Sequence, residues 1–144
     1  MKFSWGALIL APLIVPCGLS ALFVLFVAGG NPFFGFLLFS AIGSVISYVT
    51  TVLLFLPCLC LLSRLMPLTG VKVSLTGAVL GLFVSIPVTW VEYGASGVDS
   101  GPPEGTFAAF FVGQLAEPVY WVVYPLGGLI TAGAYWLIAR TSRA

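Results

Sequence analysis

The chain has 144 residues, of which 60% are hydrophobic and 6% charged, with a mean hydropathy of +1.19 and a net charge of +1. A water-soluble domain carries about 25% charged residues, so this chain lacks the side chains to cover a surface facing water. Its five basic residues form no cluster, which excludes a nucleic-acid-binding patch, and its length bounds it to one domain.

From Phe3 to Ser63 no residue is charged. That stretch is long enough for two membrane spans of about 20 residues each. The break falls at Gly29-Gly30-Asn31-Pro32, a series of turn residues with permissive or preset backbone angles. The first span is read as Ala7 to Ala28. Its apolar run exceeds the roughly 7–15 residues of a signal-peptide core, and no A-x-A site closes it, so a retained helix is expected. Proline at position 16, directly before Cys17, argues against a lipoprotein site.

The second apolar run reaches from Phe33 to Leu62. As one helix it would cover about 45 Å at 1.5 Å per residue, against a hydrocarbon core of roughly 30 Å. Pro57 removes a backbone donor. A span of Phe33 to Leu56 is therefore expected, with Pro57 to Ser63 leaving the membrane obliquely. Arg64 to Lys72 is a polar connection, and the third span runs from Val73 to Val91. Residues 92–105 hold Glu92, Asp99 and Glu104 among glycines and prolines, and read as an exposed acidic loop. The apolar stretch 106–116 is too short to span. It could be an interfacial helix, a re-entrant piece or extra turns on a long fourth helix. Proline is favourable at a first helical position, so a fresh start at Pro118 is expected, with the fourth span from Pro118 to Ala139.

With four spans the charges sort by side. Lys2, Arg64, Lys72, Arg140 and Arg143 fall on one face, and Glu92, Asp99, Glu104 and Glu117 on the other. Basic residues accumulate on the cytoplasmic side. The expected fold class is all-α, a polytopic four-transmembrane-helix bundle with both ends inside. Aromatic residues cluster near both expected boundaries: Phe33, Phe34, Trp90, Tyr93, Tyr120 and Trp121 at the outer one, Trp5, Tyr135 and Trp136 at the inner.

In lipid, helices associate through close packing of small residues and occasional hydrogen bonds. Gly77, Gly81 and Ser85 recur every fourth residue in the third span. Gly43, Ser47 and Thr51 do so in the second, with Ser40 and Ser44 on the adjoining stripe, and Gly128 and Ala132 lie in the fourth. These stripes are expected to face the bundle interior. For Gly77-x-x-x-Gly81 the expectation is packing within one copy, the alternative being a dimer interface. Ser44, Ser47, Tyr48, Thr50 and Thr51 make the second span unusually polar. Such hydroxyls commonly bond to carbonyls of their own helix; the other reading is a small wet cavity.

Catalytic chemistry is not indicated. The absence of histidine removes the commonest metal ligand and the usual base at neutral pH. No carboxylate falls within an expected span, so the mid-depth ionisable group of a pump or carrier is missing. Small multidrug exporters are comparable in size, but the first span here offers no acid. Cys58-Leu59-Cys60 is not a C-x-x-C redox pair, and Cys17, Cys58 and Cys60 read as small apolar fillers. No catalytic residue, metal ligand or cofactor is expected.

Glu92, Asp99, Glu104 and Glu117 could form an acidic outer mouth that attracts a basic partner. The simpler account is solvated boundary acids, with Glu117 suiting a helix N-terminus. In size and span pattern, and in no specific motif, the chain resembles bacterial immunity proteins that protect against toxins acting on the membrane or from the periplasm. That resemblance implies an inner-membrane protein that acts by docking on another protein, through its helix faces or the acidic loop. The alternative is a small channel or transporter working as a homo-oligomer. The partners expected are the lipid bilayer and a protein, not nucleic acid.

Overall fold

The computed structural model describes residues 4–27, 31–97, 102–103 and 105–141. All regular structure among them is helical. Helix α1 spans Trp5–Val27, α2 Pro32–Leu65, α3 Gly70–Ala95, α4 Phe107–Ala116 and α5 Pro118–Thr141. All but α4 are long and apolar enough to cross a membrane. Their outward side chains include Leu25, Phe26, Leu53 and Val91, each at least 66% exposed. A continuous apolar exterior of this kind is stable against hydrocarbon and not against water.

The end of α2 and both ends of α3 differ from the sequence expectation, and the open reading of 106–116 is resolved. Helix α2 does not end at Leu56 but continues to Leu65. Its Thr51–Phe55 segment is a wide π turn, in which the N–H of Leu56 bonds to the carbonyl of Thr51. An ordinary turn would drive the ring of Pro57 into the carbonyl four residues back. The widened turn just before it makes room, so the helix passes the proline intact. Helix α3 begins at Gly70, because Thr69 caps it: its hydroxyl accepts from the N–H of Lys72 at 3.4 Å. It also runs past Val91 to Ala95, which puts Glu92 on the helix rather than in the loop. Finally, the 106–116 stretch is a separate helix, α4. Thr106 caps it by accepting from Ala109 N–H at 3.3 Å, and Gly105 supplies the positive φ of +120° that leads into it.

Helix α5 starts at Pro118, with Glu117 in extended conformation as its N-cap residue. A second π turn, Val122–Leu126, contains Pro125 and accommodates it in the same way.

Helix α1 packs on α2 and on α5, and α5 packs on α3. Helix α2 meets α3 chiefly around Thr51–Phe55. The tightest core lies toward the Arg64 and Arg140 end. There Ala7 and Ala11 of α1 sit against Phe55, Leu59, Val73, Ala132, Tyr135 and Ala139. Alanines at the contact bring α1 close to its neighbours, the packing on which helix association in lipid depends.

Candidate functional site

The α3–α5 contact is an antiparallel zipper of small residues at four-residue spacing. Gly77 faces Gly128, Gly81 lies on the backbone carbonyl of Tyr124, and the hydroxyls of Ser85 and Tyr120 are hydrogen-bonded. Ser85 also donates to the carbonyl of Leu82 at 2.6 Å. A serine hydroxyl has one proton, so Tyr120 is the donor of the pair. Ser85 is fully buried, as is Thr89 one turn further, whose Oγ1 has no hydrogen-bond partner among the described residues. The Gly77-x-x-x-Gly81 stripe is thus occupied within the chain, by α5.

The α1–α2 contact is built differently. Phe23 and Phe39 meet at 4.4 Å between ring centroids, Gly43 accepts Pro16 closely, and Tyr48 donates its hydroxyl proton to the carbonyl of Ile9 at 2.5 Å. The small residue on α2 makes room for the proline ring of α1.

Between these two helix pairs lies a cavity of about 240 Å³, lined by all four long helices. Phe55 and Tyr135 close its lower end, with their rings edge to face at 5.5 Å. Pro12 and Pro16 line it from α1, Ile46, Ser47, Thr50 and Thr51 from α2, and Leu80, Val84 and Val88 from α3. Both π turns border it, through Thr51 and Phe55 on one side and Val123 and Tyr124 on the other. Because α2 and α3 meet chiefly around Thr51–Phe55, the cavity is a cleft open to the side between them. Its walls are largely apolar. Thr50, one of its hydroxyls, is spent on the carbonyl of Ile46 at 2.7 Å within its own helix.

Of the α2 stripe, Gly43, Ser47 and Thr51 therefore line the cleft, with Gly43 also against Pro16. Ser40 and Ser44 do not line it. Ser40 Oγ is buried without a hydrogen-bond partner among the described residues, and Ser44 is half-buried. Hydroxyl spacing in the sequence pointed to the α2 wall. The matching wall from Pro12 and Pro16 carried no such signal, because in-helix prolines read equally as kinks.

At the opposite end from Arg64, α4 folds back on α3 through aromatic contacts. Phe107 meets Trp90 at 4.8 Å and Tyr93 at 5.7 Å, and Tyr93 donates to the Gly105 carbonyl at 2.8 Å. Trp121 Nε1 donates to the Leu115 carbonyl at 2.9 Å, which ties α4 to the start of α5. Glu92 and Glu117 flank this girdle. Both are exposed, and neither forms an ion pair with a described residue. Asp99 and Glu104 lie outside the described residues, so of the four acids only Glu92 and Glu117 are placed. Glu117 caps α5 by backbone alone, without a side-chain hydrogen bond. Cys17 and Cys58 are half-buried and Cys60 exposed, all as free thiols. Among the described residues no three metal-ligating side chains cluster.

No family model, no curated protein and no solved structure matches the chain.

Proposed function

We propose that this chain is a multi-pass membrane protein, with both ends in the cytoplasm, that acts by binding another protein rather than by catalysis. The observation that carries the proposal is the lateral cleft between α2 and α3. Long apolar helices of one chain ordinarily close on each other. Here two of them stay apart along much of their length, over a cavity with largely apolar walls. A groove running between two helices suits the side-chain ridge of a third. In lipid the affinity would come from close packing, with the hydroxyls of Ser47 and Thr51 available to hydrogen-bond.

The orientation is supported by the described charges, with Arg64, Lys72 and Arg140 toward one end of the helices and Glu92 and Glu117 toward the other. In its most specific form the proposal is a protective, immunity-type protein of a bacterial inner membrane. Its cleft would capture a transmembrane segment of a toxin, and Glu92, Asp99, Glu104 and Glu117 would contact its external part.

Photo-crosslinking from within the membrane tests this. A benzophenone side chain at Ser47 or Val84, in the cleft, should capture one partner protein. The same group at Leu53 or Val79, on the outer surface, should not. Ser47→Trp, placed to fill the cleft, should abolish capture from Val84. Capture of lipid alone at both cleft positions, by a folded and monodisperse protein, would overturn the proposal.

A second reading, an oligomeric channel or carrier, is favoured by one observation: Ser47, Thr50 and Thr51 lie together at mid-depth beside two prolines of α1. The apolar character of the remaining walls weighs against a wet path. Liposome flux measurements separate the two.

A further inference from the structure

A second pocket, of about 410 Å³, lies at the Arg64 and Arg140 end of the bundle. Its walls are Ser63, Met66, Pro67 and Leu68, where α2 ends, together with Trp136, Ala139 and Arg140 of α5. The guanidinium of Arg140 lies over the Trp136 ring, 5.4 Å from its centroid. That ring in turn packs on Gly70, where a Cβ would stand about 3.0 Å from its atoms. Lys72 is not a wall residue but is tied to one, donating from Nζ to the Pro67 carbonyl at 3.3 Å.

Two cationic heads are therefore fixed by specific contacts, Arg140 in the pocket wall by an aromatic face and Lys72 beside it by the carbonyl of a wall residue. Neither is neutralised by a described carboxylate. Glu92 is 22 residues along α3 from Gly70, about 33 Å at the helical rise, and Glu117 stands before the far end of α5. The open backbone N–H groups of Gly70 and Val71, at the start of the 26-residue α3, add to the same positive field. Ser63 contributes no donor, because its proton goes to the Cys60 carbonyl at 2.7 Å. A tryptophan at the apolar boundary with a basic residue stacked on it is the arrangement that sits at headgroup depth.

We propose that this pocket binds a phosphate group, carried by an anionic lipid headgroup or present as the free ion. Its donors are the Arg140 guanidinium and the Lys72 ammonium, and its floor is the Trp136 ring. Planar guanidinium donors suit phosphate oxygens, and basic pockets between helices at a membrane face take lipid headgroups. The proposal requires that the helices span a bilayer. It is independent of any protein partner at the cleft.

The test uses the full chain purified in a mild non-ionic detergent, with lipid retention read by native mass spectrometry. Wild-type protein should retain phosphatidylglycerol in preference to phosphatidylcholine. Arg140→Gln and Lys72→Gln should each lower that preference about fivefold, and Arg140→Lys should keep most of it. Both mutated residues are at least partly exposed, and a monodisperse elution profile shows that the variants fold. Millimolar inorganic phosphate distinguishes the sources: retention that survives it assigns the site to a headgroup, and displacement assigns it to the free ion. Equal retention of the two lipids together with no bound inorganic phosphate on wild type, or a preference untouched in both glutamine variants, would overturn the assignment.

Discussion

Gly77 of α3 and Gly128 of α5 pack backbone against backbone, and a Cβ built on either would overlap the carbonyl oxygen of the other. The contact is reciprocal, so each glycine makes room for its partner's carbonyl. Close approach of this type allows Cα–H groups to meet carbonyl oxygens across the interface. It also sets the separation of the two helices that bear the Ser85–Tyr120 bond two turns along the same face.

Alanine at position 77 or 128 should therefore force α3 and α5 apart. The overlap is with backbone, which cannot rotate away, so a loss of about 1–3 kcal/mol is expected for each. Gly94→Ala and Gly113→Ala are the matched controls, since nothing lies within 4 Å of a Cβ at either site. Thermal unfolding in detergent should show a lowered midpoint for the first pair and none for the second.

The buried hydroxyl pair should respond unequally to its two deletions. Tyr120→Phe removes a donor, and Ser85 keeps its bond to Leu82, so nothing is stranded. About 0.6 kcal/mol is expected, the average for interhelical bonds in membrane proteins. Ser85→Ala instead leaves the Tyr120 hydroxyl without its acceptor in a site where the residue is 4% exposed. The cost should then reach about 1–3 kcal/mol. A double-mutant cycle gives the pairwise coupling, and equal costs for the single variants would contradict the donor assignment.

The two ends of the helices should label from opposite sides of the membrane. Ser63 and Ser96 are both exposed and stand near opposite ends of α2 and α3. In a background with Cys17, Cys58 and Cys60 replaced by serine, Ser63→Cys should react with an impermeant maleimide only after the cytoplasmic side is opened. Ser96→Cys should react in intact cells. Reaction of both from one side contradicts an even number of crossings with the basic residues inside.

Purified protein in liposomes should pass no small ion or neutral solute above the lipid background. Solute-selective flux that Ser47→Trp abolishes would move the cleft from a docking groove to a conduction path.

The four long helices were legible because apolar runs of about 20 residues have few alternatives once a chain is this poor in charge. Pro118 was legible as a helix start because its missing N–H costs nothing there. The same residue type misled at Pro57. A proline in a sequence marks a lost donor, while the preceding wide turn that rescues the helix is a backbone adjustment with no composition of its own. Thr69 and Thr106 are ordinary capping residues, but neither is followed three residues later by Glu or Gln. Without that second half of the capping box the true start of α3 was not marked, whereas the apolar stretch 106–116 already bounded α4. The cleft was half legible. Ser47 and Thr51 announce a polar stripe, but the facing α1 wall depends on how Gly43 seats Pro16, a tertiary match between residues 27 positions apart.

The two wide turns also bear on how this chain can change length. An α-helix advances about 100° per residue, so one residue more or less swings everything beyond it by more than a quarter of a circle. At Thr51–Phe55 the wide turn accommodates that swing, and Leu59 beyond it still points into the core. Deleting Leu54 should restore an ordinary ladder through this segment and leave Leu59, Ser63 and Arg64 on the faces they now occupy. Single-residue deletions are ordinarily ruinous in the middle of a helix, and this segment is where one would instead shorten the chain without turning the basic end.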